Sequence, residues 1–232
     1  MKKVAILQSN YIPWKGYFDL IGCVDEFVIL DSVQYTKRDW RNRNRIKTAN
    51  SLLWLTVPVL SKGKYKQLIK DVELLGDDWQ YKHWKSIEVS YRKSKYFDEV
   101  SNFLKPLYLD NEFKLLTDLN TKFIVEISDF LNLKTKIKKS TNFFASKDKN
   151  QRLIDILKEL NADIYFSGPS AKSYINEEEF KQNDIQIYWM NYCDYPIYDQ
   201  LWGEFVHEVS IIDLLFNCGK SSIKYMKLGS LF

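Results

Sequence analysis

The pattern of apolar and polar positions resolves into elements from the first residues. Lys3 to Leu7 is a short β-type apolar run that stops at polar Gln8, Ser9 and Asn10 and at a loop carrying Pro13. Gly16 and the run YFDLIGC then read as a helix, and Glu26 to Leu30 as a second buried strand. Strand, loop, helix and strand within about 30 residues make a βαβ unit, whose strands are expected to be parallel with a right-handed crossover. Their C-terminal ends, Gln8 to Trp14 and Asp31 to Tyr35, then lie side by side at the edge where open α/β sheets bind ligands.

Lys37 to Lys47 (KRDWRNRNRIK) carries six basic residues and one acid, and runs into Ser51 to Val59 (SLLWLTVPV). This reads as a basic β-hairpin closed near Thr48 to Asn50. Arg41, Arg43 and Arg45 alternate, so an extended strand puts them on one face. The stretch 76–132 is expected to be helical. One helix begins at Asp78 and Trp79 and runs through Tyr91; another, Glu112 to Leu131, places Leu115, Leu119, Phe123, Ile127 and Phe130 at helical spacing. Lys134 to Lys139 is a β-prone edge. Asp148 to Leu160 is an amphipathic helix, Asp163 to Ser167 a strand closed by Gly168, Pro169 and Ser170, Ile185 to Met190 a further strand, and Glu208 to Asn217 a late helix. With no internal repeat or linker, residues 1–232 read as one α/β domain. Its expected parts are a partly parallel sheet, a hairpin inserted near residues 36–60 and a helical subregion at 76–132.

Composition narrows the function classes. The 232 residues hold 34 Lys+Arg and 30 Asp+Glu, a net charge of +4, and are 45% hydrophobic, which excludes disordered and fibrous proteins. So small a charge makes DNA an unexpected partner, and any basic binding surface must be local. Aromatics reach 16%, enough to supply stacking surfaces for sugars or bases as well as a core. Three cysteines and two histidines, with no CxxC or HxxxH spacing, give no metal site. Cys23, inside the apolar IGCV run, is expected to be an inert thiol. No signal-like or membrane-spanning apolar stretch is present, so a cytoplasmic protein with reduced thiols is expected.

Candidate chemistry gathers at the predicted strand edge. Gln8, Asn10, Tyr11, Asp31 and Gln34 are placed to orient a ligand, or to cap turns. Pro13 and Gly16 shape the loop and let backbone approach a ligand. Lys37, Arg41, Asn42, Arg43 and Arg45 suit bidentate capture of phosphate or carboxylate, against the alternative of a solvated charged strand. Gly168 and Pro169 after a strand, and Gln200 in an aromatic-polar loop, are candidate further walls. His83 on the apolar side of its helix is the leading general base, or a core hydrogen-bonder, with Asp31 beside it as base and His207 as a weaker candidate. The expected ligand is an anionic small molecule, a nucleotide or nucleotide-sugar. The sequence names no cofactor; a magnesium ion accompanying a phosphate would find Asp31 its best ligand.

The run QSNYIPWKGYFDLIGCVDEFVILDSVQYTKRDWRNRNRIKT, with SGPSAKSYI, PIYDQ and VSIIDLLFNCG, resembles the WbqC-like protein family over residues 3–60 and 160–219. That resemblance implies a transferase of surface-polysaccharide (O-antigen) biosynthesis, moving a glycyl, aminoacyl or other acyl group to a nucleotide-activated or lipid-linked sugar. The acyl donor is left open, aminoacyl-tRNA included. Ile12 to Tyr17 is also similar in placement to the PxHxGH turn of nucleotidylyltransferases and pantothenate-synthetase-like ligases, which implies a Rossmann-like, nucleotidylyltransferase-like fold. Both histidines of that turn are replaced, by Trp14 and Tyr17. Two alternatives therefore remain at this point, nucleotidyl transfer or ATP-dependent ligation on the same fold, and a non-catalytic sugar-nucleotide-binding module.

Overall fold

A computed structural model describes residues 1–228. Its centre is a five-stranded sheet, parallel at every pairing: β1 (Lys3–Leu7), β2 (Glu26–Ile29), β5 (Lys136–Lys139), β6 (Ile164–Ser167) and β7 (Gln186–Trp189), in the order β5-β2-β1-β6-β7. β3 (Arg43–Lys47) and β4 (Leu52–Thr56) form a separate antiparallel ribbon. Seven α-helices complete the fold among the described residues: α1 (Lys15–Gly22), α2 (Asp78–Tyr91), α3 (Phe97–Leu109), α4 (Leu116–Phe130), α5 (Lys149–Glu159), α6 (Glu177–Lys181) and α7 (Ile211–Cys218). None of them is long and apolar enough to cross a membrane.

Both faces of the sheet are covered, as a parallel sheet requires. Alternate residues of one strand feed different cores: Ala5, Phe27, Ile29 and Phe166 pack with α1, α4 and α7, while Val4, Ile6, Val28 and Tyr165 pack with α5 and α6. The chain leaves β1 for β2 on one side and returns to β6 on the other, so the order reverses at β1. The turn after β1 consequently opens into the crevice where the connections diverge.

Local chemistry sets the helix ends. Asp148 caps α5 by accepting from the backbone N–H groups of Asn150 and Gln151, and Ser210 caps α7 by accepting from that of Ile212. The helix expected from Glu112 begins only at Leu116. The preceding backbone is used elsewhere, with Leu74 N–H bonding Lys114 O at 2.9 Å and Leu116 N–H bonding Val72 O at 2.8 Å.

Candidate functional site

The turn after β1 is built around a strained residue. Ile12 is fully buried with φ 37°, a left-handed conformation that costs a β-branched residue on the order of 1–3 kcal/mol. Its carbonyl accepts from Asn44 Nδ2 at 2.9 Å and Ser210 Oγ at 2.7 Å, and Asn44 Nδ2 also reaches Tyr11 O at 3.2 Å. Tyr11 N–H bonds Trp40 O, Ile211 N–H bonds Pro13 O, and Ser210 N–H bonds Arg45 O. The turn, the arginine ribbon and the start of α7 are thereby clamped together.

Between them lies a cavity of about 250 Å³ lined by Asn10, Pro13, Trp14, Trp40, Asn44 and Glu208. Two indoles and a proline ring make it apolar, and its polar groups are few. Asn10 Oδ1 accepts from Arg41, whereas its amide Nδ2 has no hydrogen-bond partner among the described residues. The Glu208 side chain is 79% exposed and sits 3.5 Å from Arg45 Nη2. Trp14 folds back over Gly16, where an added Cβ would come within 2.4 Å of the indole, and meets Tyr192 and Tyr195 edge-on. Gly16→Ala is expected to push Trp14 into the cavity and cost about 1–3 kcal/mol. Tryptophan fluorescence and thermal melting check this, an unchanged emission spectrum counting against it.

The three arginines do not form one cradle. The strand begins at Arg43, so the alternation does not extend back to Arg41, which instead turns inward to Asn10 Oδ1 and Ser9 O and pairs with Asp39 at 3.6 Å. Arg43 and Arg45 share the outer face of the ribbon, 4.4 Å and 5.4 Å from the Trp54 ring. Asn42 faces the other way, donating to Val57 O and accepting from Tyr35 OH. Asn44, which lines the cavity, has both ends of its amide engaged by backbone.

Both expected catalytic side chains are held inside the protein. Asp31 is buried, its Oδ1 accepting from Ser9 N–H at 2.9 Å and its Oδ2 from Thr117 Oγ1 at 2.6 Å, so it ties the end of β2 to the β1 turn. His83 Nδ1 lies 2.8 Å from Tyr11 OH, which lies 2.7 Å from Tyr108 OH, and the Thr56 backbone completes the chain. Burial lowers the imidazole to about 4, partly offset by the Thr56 bond, so His83 is neutral at pH 7. Neither residue lines the cavity.

The other expected residues disperse. Gln34 donates to Tyr65 O, and Gln200 bonds Lys47, Val206 and Asp213 away from the cavity. Gly168 and Pro169 follow β6, with Gly168 beside Tyr192. Gln8 is half-buried, its carbonyl accepting from Tyr17 OH. Lys37 lines a different cavity. His207 is exposed, its ring 4.6 Å from that of Phe205. Burial pushes the Cys23 thiol up to about 12 and that of Cys218 up to about 11, which removes the thiolate that nucleophilic chemistry needs. Among the described residues no group of three or more His, Cys, Asp or Glu could hold a metal ion.

Directly after Trp14 in the chain, Lys15 opens α1 with its ammonium 4.6 Å from the Tyr195 ring and 5.4 Å from that of Tyr198. Burial lowers it to about 8, against the pull of Asp19, Cys218 and Asp213. Asp19 accepts from Tyr195 OH at 2.5 Å and Lys227 N–H at 2.8 Å, yet burial raises it to about 6. These contacts pin the 195–205 loop to α1.

Glu208, Trp14 and Trp40 were not singled out from the sequence. The RDWRNR run shows an aromatic among cations, but nothing near Glu208 signals that it meets a residue over 160 positions earlier.

A five-stranded parallel sheet flanked by helices, with an aromatic cavity beyond the C-terminal end of β1, defines the class of the chain as an α/β protein. The chain belongs to the WbqC-like protein family, which matches residues 8–225. It is 46% identical over 227 residues to "Uncharacterized protein Rv1507c" of Mycobacterium tuberculosis (strain ATCC 25618 / H37Rv), with 98% of each chain covered. No solved structure matches it.

Proposed function

We propose that this protein is a cytoplasmic transferase of surface-polysaccharide biosynthesis, built on a Rossmann-like sheet, that holds an activated sugar at the β1 turn and transfers an acyl or aminoacyl group to it. The observation that carries the reading is the cavity between Trp14 and Trp40. At about 250 Å³ it falls just below the ~300–1,000 Å³ of pockets that bury drug-sized ligands, which suits one pyranose ring. Indole faces take the C–H face of such a ring, and Asn10 Nδ2 is available to donate to a hydroxyl. Glu208 is the carboxylate placed to act. As a sugar amine nitrogen bonds the carbonyl carbon of an activated acyl donor, a thioester or aminoacyl ester, Glu208 takes the amine proton and the leaving group departs with the bonding electron pair.

The commitment of His83 and Asp31 to internal bonds favours one other reading, a binding module without turnover. Calorimetric titration with nucleotide-sugars, joined to mass-spectrometric detection of acylated sugar, separates the two. Trp40→Ala is expected to weaken sugar binding about tenfold, the loss of one stacked ring. Glu208→Gln is expected to leave binding within about threefold and to cut turnover by about 10²–10⁴. Binding with no product from any acyl donor would leave only the module, and no binding of any activated sugar would end both.

A further inference from the structure

A second cavity, of about 310 Å³, lies on the other flank of the ribbon, and its lining includes Lys37, Arg38, Arg43, Tyr35, Thr56 and Ser61. Three cations face it and no carboxylate lines it. The remaining arginines of the run are neutralised, Arg41 by Asp39 at 3.6 Å and Arg45 by Glu208 at 3.5 Å. Among the described residues, Lys37, Arg38 and Arg43 pair with no carboxylate; Lys37 lies 5.2 Å from the Tyr65 ring. Asp39 is the near acid; it is held by Thr36 Oγ1 at 2.6 Å, Trp40 N–H at 2.7 Å and Arg41, and Arg43 acts on it only through longer-range charge, outside ion-pair distance.

Arg43 is preorganised. Its guanidinium stacks on Trp54 at 4.4 Å, its Nη2 donates to Arg38 O, and its buried Nε has no partner. A guanidinium fixed in plane loses little freedom when an anion docks on its edge. Arg38 itself holds a left-handed φ of 58°, in a turn fixed by that same bond. Arg43, which lines the basic cavity, and Arg45, whose partner Glu208 lines the aromatic one, are two strand residues apart, about 7 Å, and both lie over Trp54, whose ring is 5.5 Å from that of Trp40.

We propose that the Lys37, Arg38 and Arg43 cavity is the diphosphate subsite of the activated sugar whose ring occupies the Trp14 and Trp40 cavity. The proposal rests on the sugar-binding reading for the ring's position. A diphosphate is common to a nucleoside-diphosphate sugar and to a prenyl-diphosphate-linked one, and the cavity recognises that shared group.

The full chain is titrated calorimetrically with inorganic pyrophosphate, uridine diphosphate, farnesyl diphosphate and a free monosaccharide, at low and at raised salt. Pyrophosphate is expected to bind, and more weakly as salt rises. Lys37→Met with Arg38→Met, both exposed and outside any packed core, is expected to weaken it at least tenfold. Arg43→Met is expected to do the same while leaving monosaccharide binding unchanged. A gain in affinity for uridine diphosphate over pyrophosphate identifies the nucleotide source, and a gain for farnesyl diphosphate the lipid source. Monosaccharide binding without pyrophosphate binding, or pyrophosphate binding indifferent to these substitutions, overturns the subsite. Pyrophosphate binding lost with the substitutions, but no monosaccharide binding, upholds it and overturns the ring's placement instead.

Discussion

Replacing Asn44 by Ala is expected to lower the unfolding free energy by about 3 kcal/mol and to abolish sugar binding at the β1 turn. Asn44 is 3% exposed and makes three bonds to backbone: Nδ2 to Ile12 O and Tyr11 O, and Oδ1 from Arg45 N–H. Each contributes about 1 kcal/mol net, and more where a buried partner is left unsatisfied. Ser210 Oγ also holds Ile12 O, so that carbonyl retains one donor, whereas Tyr11 O and Arg45 N–H lose the asparagine outright. The left-handed Ile12 then lacks part of the scaffold that enforces its conformation, and Pro13 and Trp14, two walls of the cavity, follow it directly in the chain. Urea denaturation gives the stability change. Asn42→Ala is the control: it also removes two buried bonds, to Val57 O and Tyr35 OH, but Asn42 lines the basic cavity rather than the aromatic one and does not touch the turn, so the change should cost stability and spare the binding of a free monosaccharide. Equal loss of binding in both variants would show that the clamp is not specific to Asn44.

The contrast between these two asparagines shows where sequence reading stops. The βαβ start, the ribbon and the parallel returns to the sheet were legible because each is a local pattern, an apolar run closed by turn residues or an alternation with period two. The five-stranded parallel sheet and its order follow from those runs only once long connections are closed. α3 was hidden within the helical stretch by Pro106, which reads as a breaker; it sits in the last turns of the helix, where its carbonyl serves Asp110 N–H and the Asn111 side chain. α6 spans five residues, too few to show a period. At the site, the sequence placed the turn and the ribbon against each other but could not rank their side chains. A polar residue at a strand edge bonds either a ligand or its own protein, and Asp31, Asn42 and Gln200 do the latter through partners from 2 to 153 positions away. The aromatic walls and Glu208 come together only through tertiary closure of α7 on the ribbon.

The burial of His83 makes a second large prediction, one that reads the core through its pH dependence. An unfolded histidine takes a proton near pH 6.5, while the folded His83 does so only near 4, so between those values the unfolded chain binds more protons and stability falls as the pH falls. Two and a half pH units at roughly 1.4 kcal/mol each amount to about 3 kcal/mol. Asp19 runs the other way. Its folded value is raised to about 6 from an unfolded value near 3.9, so the folded chain keeps a proton there that the unfolded chain releases. That contribution is fully present below about pH 4 and is lost as the pH rises through about 6, again by about 3 kcal/mol. Over pH 6.5 to 4 the two largely cancel, and single variants uncover them. Relative to the parent protein, Asp19→Asn is expected to lose about 3 kcal/mol on acidification across that window, and His83→Gln to gain a similar amount, whatever offset either shows at pH 7. Urea-denaturation free energies measured at intervals of pH give the slopes. Profiles parallel to that of the parent would mean that neither group is held away from its ordinary protonation, and that the Tyr108, Tyr11 and His83 chain is open to water.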